Sequence, residues 1–131
     1  MLSKGLRDED NEKIDEALQA LLKVEFIPDY WEKQQRQNVS ESLQSLVKLS
    51  LNEVETISKN DLLQHLHDLK LEFSNYEQLG DLLLKIAPLE ENNQQNLAKK
   101  TLAIYEHAQQ ESKMFSFGLI QKITNAQALA K

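Results

Sequence analysis

Leucines and other aliphatic residues recur at three- and four-residue spacing through most of the chain, as in Leu18, Leu21 and Leu22, in Leu62, Leu66 and Leu69, and in Leu79, Leu83 and Ile86. That spacing gathers apolar side chains on one stripe of an α-helix but scatters them over both faces of a strand, so it demands amphipathic helices that hide one side against each other. Three glycines and two prolines in 131 residues leave too few turn formers for the tight connections of an all-β domain. Glutamine, glutamate, lysine, leucine and alanine, which lose little rotamer freedom in a helix, fill most other positions. The expected fold is therefore all-α: about six helices, several of them short, in antiparallel hairpins joined by tight links. Residues 1–131 suit one domain, since a chain of this length can bury a core without disulfide or metal staples.

The formal charge of −6 excludes a non-specific attraction to nucleic acid or to an anionic membrane surface, because both need clustered lysine and arginine. Lys99 and Lys100 are the nearest thing to a basic cluster and read as a solvated helix face. There is no cysteine, hence no disulfide framework and no thiolate metal site, and no apolar run approaches the length of a membrane span. The opening MLSKGLRDEDNEK turns acidic where a signal peptide would turn apolar, so the expected location is the cytoplasm.

Asp8 or Asp10 is expected to cap a first helix through Ile14, Leu18, Leu21 and Leu22, with the acidic residues 8–12 favoured by the positive end of its dipole. Pro28 should end that helix and Asp29 cap a second over residues 29–50, one long helix despite the polar stretch Glu32 to Asn38. Asn52 is read as the cap of a short helix with Val54 and Ile57, and Ser58 with Asp61 as the start of the next. Ser74 and Glu77 form a capping box before a helix that stops at Pro88. The run EENNQQN, residues 90 to 96, reads as a surface loop or an exposed first turn. A helix from Leu97 through Ala108 follows, then a connection over Ser112 to Ser116 stapled by Phe115, and a last helix with Phe117, Ile120, Ile123 and Leu129 on its stripe.

Within this succession, Tyr76-x-x-Leu79-Gly80-x-x-Leu83 is similar to the first helix of a tetratricopeptide (TPR) repeat. The second helix of such a unit aligns either as Ala98-x-x-x-Leu102 or as Thr101-x-x-x-Tyr105 with Ala108, and small Gly80 would let it approach closely. Both alignments need a longer connection than the family uses, and the closing proline is missing. The resemblance over residues 74–112 implies a degenerate TPR-like hairpin, of the kind in small bacterial helical proteins, and no chemistry.

Catalytic and cofactor signatures are missing from the sequence. His65 and His67 stand about 200° apart around a helix and cannot share a metal, and His67-Asp68 lacks the other ligands of an HD phosphohydrolase. His107 and Glu111 share a face and read as an exposed i, i+4 pair. No Glu-x-x-His pair, phosphate-binding loop or nucleophile elbow occurs, so no cofactor or metal is expected. Asn38-Val39-Ser40 matches a glycosylation sequon without an export signal. Tyr30, Trp31, Phe115 and Phe117 are the candidate partner-binding residues: anchors of the core if buried, an interaction hot spot if exposed. The expected function is a non-enzymatic protein-interaction or scaffolding module whose helical groove takes a protein, a peptide or a second copy of the chain. Two alternatives stand beside it. One is an immunity or antitoxin-like protein that neutralises a basic partner by charge; the other is a small helical enzyme, to be supported by a pocket joining His107 to carboxylates of another helix.

Overall fold

The computed structural model describes the backbone of residues 2–112 and 116–131 and the side chains of residues 9–112 and 116–131. The fold is all-α, with no strand among the described residues. Its elements are α1 (Leu2–Leu22), α2 (Pro28–Tyr30), a π turn (Trp31–Gln35), α3 (Arg36–Val47), α4 (Leu51–Thr56), α5 (Lys59–Asp68), α6 (Phe73–Ile86), a 3-10 turn (Ala87–Leu89), α7 (Gln94–Ser112) and α8 (Phe117–Ala130). No helix among the described residues is long and apolar enough to cross a membrane.

Several boundaries differ from expectation. α1 begins at Leu2, ahead of Asp8 and Asp10, so the acidic residues 8–12 lie past its first turn and not at its N-cap. Pro28 opens the second helix instead of only ending the first, since the N1 position needs no N–H donor; Ile27, not Asp29, is the cap. The helical run through residues 28–47 is continuous but contains the π turn, and it closes on Lys48 in the left-handed conformation, φ 63°. Ser50 replaces Asn52 as the cap of α4: its hydroxyl accepts from the Glu53 N–H while Glu53 accepts from the Ser50 N–H. Ser58 caps α5 as expected. α6 is capped by Glu72, reciprocated by Asn75, which leaves Ser74 inside the helix.

The displaced Ser74 has another task. Its hydroxyl donates to Asp15 Oδ2 at 2.6 Å, and Asn75 Nδ2 donates to Asp15 Oδ1 at 2.6 Å and to the Asn11 carbonyl at 2.9 Å. Further along, Lys85 Nζ reaches the carbonyls of Leu22 and Val24 at the end of α1. Residue numbers rise together on both helices, so α1 lies parallel to α6. On the other side of α6 the order reverses, with Tyr76 against His107 and Gly80 against Tyr105, so α6 and α7 form an antiparallel pair. A Cβ on Gly80 would stand 2.5 Å from Tyr105 Cε1, which is why this contact needs glycine.

The main core runs along α6. Leu79, Leu82, Leu83 and Ile86 meet Leu18 of α1, Leu43 and Val47 of α3, Leu51 and Val54 of α4, Leu62 and Leu66 of α5, and Leu97 and Ile104 of α7, all essentially excluded from water. Burying each such side chain contributes roughly 1.5–3 kcal/mol, so this leucine stripe dominates the stability. A smaller cluster of Tyr105, Leu119 and Ala126 seats α8 on α7. The stripe of α8 follows the expected one in part: Ile123 and Leu129 pack on the core, but Leu119 and Ala126 are the fully buried positions and Phe117 is 79% exposed. Lys122 reinforces the seat, with Nζ 2.9 Å from Glu77 Oε2 and 3.0 Å from Asp81 Oδ2; burial opposes its charge, but these two carboxylates outweigh that and raise its pKa. Asp81 also accepts the Tyr105 hydroxyl at 2.6 Å.

Candidate functional site

The most heavily buried carboxyl groups among the described residues lie where the π turn faces the α6–α7 connection. A π turn holds one residue more than an α-turn, and here the Arg36 N–H reaches the Trp31 carbonyl across five residues. Trp31 and Arg36 thereby address the same carboxylate: Trp31 Nε1 donates to Glu90 Oε1 at 3.0 Å and Arg36 Nε donates to the same oxygen at 2.7 Å. Arg36 Nη2 continues to Asn52 Oδ1 at 2.6 Å and to Glu55 Oε1 at 3.0 Å. Glu55 and Glu90 are both buried, and each forms an ion pair with Arg36.

Two carboxyls around one guanidinium carry one negative charge too many for a buried site. Burial first, then the charge of Glu90 and a hydrogen bond to it, push Glu55 up to about 7 against the opposing pull of Arg36. Ionised, Glu55 leaves its buried Oε2 with no hydrogen-bond partner among the described residues; protonated, it can give that hydrogen to Glu90. Burial works against the Arg36 charge, but the Glu90 hydrogen bond and both carboxylates more than offset it, and its pKa rises. Lys100 closes the back of the cluster, its Nζ 3.4 Å from the Val54 carbonyl and 3.3 Å from that of Glu55 at the end of α4. Burial lowers its pKa despite the charge of Glu55. Lys100 is thus no solvated surface lysine, whereas Lys99 is exposed. Asn96 fixes the same turn, donating to the Glu55 carbonyl at 2.8 Å.

In front of this cluster a cleft of about 550 Å³ opens between the π turn and the connection from Pro88 to Asn93. Glu32 and Glu91 stand exposed on its lining with no ion pair among the described residues, Glu90 lies at its floor, and Asn52, Asn92 and Asn93 add amide groups. Arg36 is the one cation lining it, with Nε and Nη2 committed to Glu90, Asn52 and Glu55. Cationic groups are what this lining complements. The polar run EENNQQN is therefore only partly a surface loop, since Glu90 is buried and α7 begins at Gln94.

The residues singled out for partner binding differ in exposure. Trp31 is 1% exposed, so the indole is no surface hot spot; it stacks edge-on with Phe26 at 5.6 Å and anchors the π turn to Glu90, where its N–H finds the partner that a buried indole needs. Tyr30, one residue away, is 55% exposed, and Phe117 lies on α8. Phe115 lies outside the described residues. Arg36, Glu55 and Glu90 were not legible as a site, because 54 and 19 residues separate Arg36 from its partners. The only hint was the apolar gap from Glu32 to Asn38.

His67 and His107 line one cavity, and His65 does not line it. His65 Nε2 lies 2.7 Å from the Val47 carbonyl, and His67 is exposed. His107 is not on an exposed face: its ring lies 4.9 Å from that of Tyr76, and Glu111 Oε1 is 3.9 Å from Nε2. A cavity does join His107 to Asp68 of α5. No three His, Asp or Glu side chains among the described residues form a metal-ligand group.

The fold and cleft define an all-helical protein with an acidic recess over a buried ionic cluster. No family model matches the chain, and neither does any curated protein or solved structure.

Proposed function

We propose that this protein is a non-catalytic interaction module that receives a lysine- or arginine-bearing segment of a partner protein in the cleft between the π turn and the α6–α7 connection. The observation that carries the reading is the cleft's charge: Glu32 and Glu91 form no ion pair among the described residues, Glu32 adding only its more distant charge to Arg36, while Arg36 is held by two glutamates. Unpaired carboxylates beside amide carbonyls suit an ammonium or guanidinium group, and such complementarity sets partner choice and association rate. A basic protein held in check by this chain would be one instance of the same chemistry. The α6–α7 pair, with its TPR-like Gly80 contact, supplies the rigid frame from which the acidic connection is hung.

Trp31 is the only tryptophan and is bonded to the cleft's floor, so its emission reports on occupancy. Titration with a lysine–glycine repeat peptide should shift that emission saturably, and a glutamate–glycine peptide of equal length should not. Replacing Glu32 and Glu91 together by Gln should weaken the lysine peptide about three- to tenfold at low salt, as expected for two solvent-facing charge pairs. A response of the same size to both peptides, or undiminished binding in the double variant, would refute the reading.

A further inference from the structure

A second cavity, of about 470 Å³, shares no lining residue with the acidic cleft and is built by the end of α5, the start of α6 and the last turns of α7. Its size is that of a small-molecule site. Tyr76 lines it while being 4% exposed, and its hydroxyl makes no hydrogen bond among the described residues. The contrast with Tyr105 on the same helix pair, whose hydroxyl is bonded to Asp81, is direct. Beside it, His107 Nε2 is buried without a hydrogen-bond partner, 3.9 Å from the Glu111 carboxylate. A buried imidazole nitrogen without a partner at a cavity wall is unusual in a folded protein, where nearly all such groups find partners.

Charges of both signs complete the lining. Asp68 and Glu111 supply carboxylates, Lys70 supplies an ammonium with no ion pair among the described residues, His67 adds a second imidazole, and Leu71 and Phe73 form an apolar wall. A plain anion would face both carboxylates, and a plain cation would face Lys70. A molecule carrying one charge of each sign and an apolar body satisfies all of them.

We propose that this cavity binds a small zwitterion of the α-amino acid class, its carboxylate held by the Tyr76 hydroxyl and Lys70, its ammonium by Glu111, and its side chain against Leu71 and Phe73. The site is independent of the acidic cleft and of any peptide bound there. Isothermal titration calorimetry with L-leucine, L-leucinamide and N-acetyl-L-leucine tests it, because the amide lacks the carboxylate and the acetyl derivative lacks the ammonium. Saturable binding of leucine, at least about tenfold weaker for each blocked form, is expected from the loss of one charge-assisted contact. Tyr76→Phe keeps the ring against His107 and removes only the hydroxyl; Lys70→Asn removes the charge and tolerates the left-handed backbone at this position, φ 60°. Each should weaken leucine by about tenfold. Should Tyr76→Phe fail to fold, Lys70→Asn and the blocked ligands still decide. Absence of saturable leucine binding, equal affinity for the blocked forms, or full affinity in the folded variants overturns the proposal.

Discussion

Glu55 shows how a single side chain can set a protein's response to pH. Its folded-state value, pushed up to about 7, lies above the ordinary glutamate value of 4.5, so the folded protein holds this proton over a range where the unfolded chain has released it. A raised carboxyl favours folding below the ordinary value and loses that contribution as pH climbs towards 7. Urea midpoints measured at about pH 5 and about pH 8 should therefore show the wild type losing stability on the alkaline side by more than Glu55→Gln does, because the amide cannot ionise. Equal losses in both proteins would show that the carboxyl does not hold its proton in the fold. Nothing in the local sequence Asn52-Glu-Val-Glu-Thr56 announced this. Glu53 and Glu55 look alike there, yet Glu53 caps α4 and its carboxyl is held below the usual value by the Ser50 N–H, while Glu55 faces Arg36 and Glu90.

At the scale of an element, the π turn is what brings Trp31 and Arg36 to one oxygen. Deleting Gln34, an exposed residue inside it, should convert the wide turn to an ordinary α-turn and rotate one of the two away by about 100°. The expected result is a red-shifted Trp31 emission and a loss of roughly 1–3 kcal/mol, the cost of leaving a buried polar group unmatched. Unchanged emission and stability would mean that the pair is held by something else. The repeating apolar positions of α5 and α6 were plain in the sequence because the helical period alone decides them: Leu62 and Leu66, then Leu79, Leu83 and Ile86, are all buried. The caps were harder. Asn52 and Ser74 carry acceptable capping side chains, but Ser50 and Glu72 stand at the backbone positions where the chain actually turns, and Ser74 is drawn off by Asp15.

For the molecule as a whole, helical class and the burial of the leucine stripes followed from periodicity, while the arrangement of helices did not. Local spacing says which face of a helix is apolar and nothing about which other face meets it. α8 illustrates the point: Phe117 and Ile120 fit a stripe on paper, but docking on Tyr105 selects Leu119 and Ala126. Because α8 is held by this small cluster and Lys122, with only Leu129 reaching the main core, whereas α6 lies along that core, amide hydrogen exchange should release α8 well before α6. Comparable protection of the two helices would contradict the separation of the clusters. The acidic cleft was invisible for the same reason as the topology, since its parts come from three distant stretches of chain.

The side-by-side alignment of α1 and α6 also bears on how the protein is made. Asn11 and Asp15 meet Ser74 and Asn75 across 59 to 64 residues, so the first rod leaves the ribosome long before its mate exists. Closing so wide an interval carries an entropic cost that local hairpins avoid, and the Trp31–Glu90 contact across 59 residues shares it, so both are expected to form after the α6–α7 hairpin.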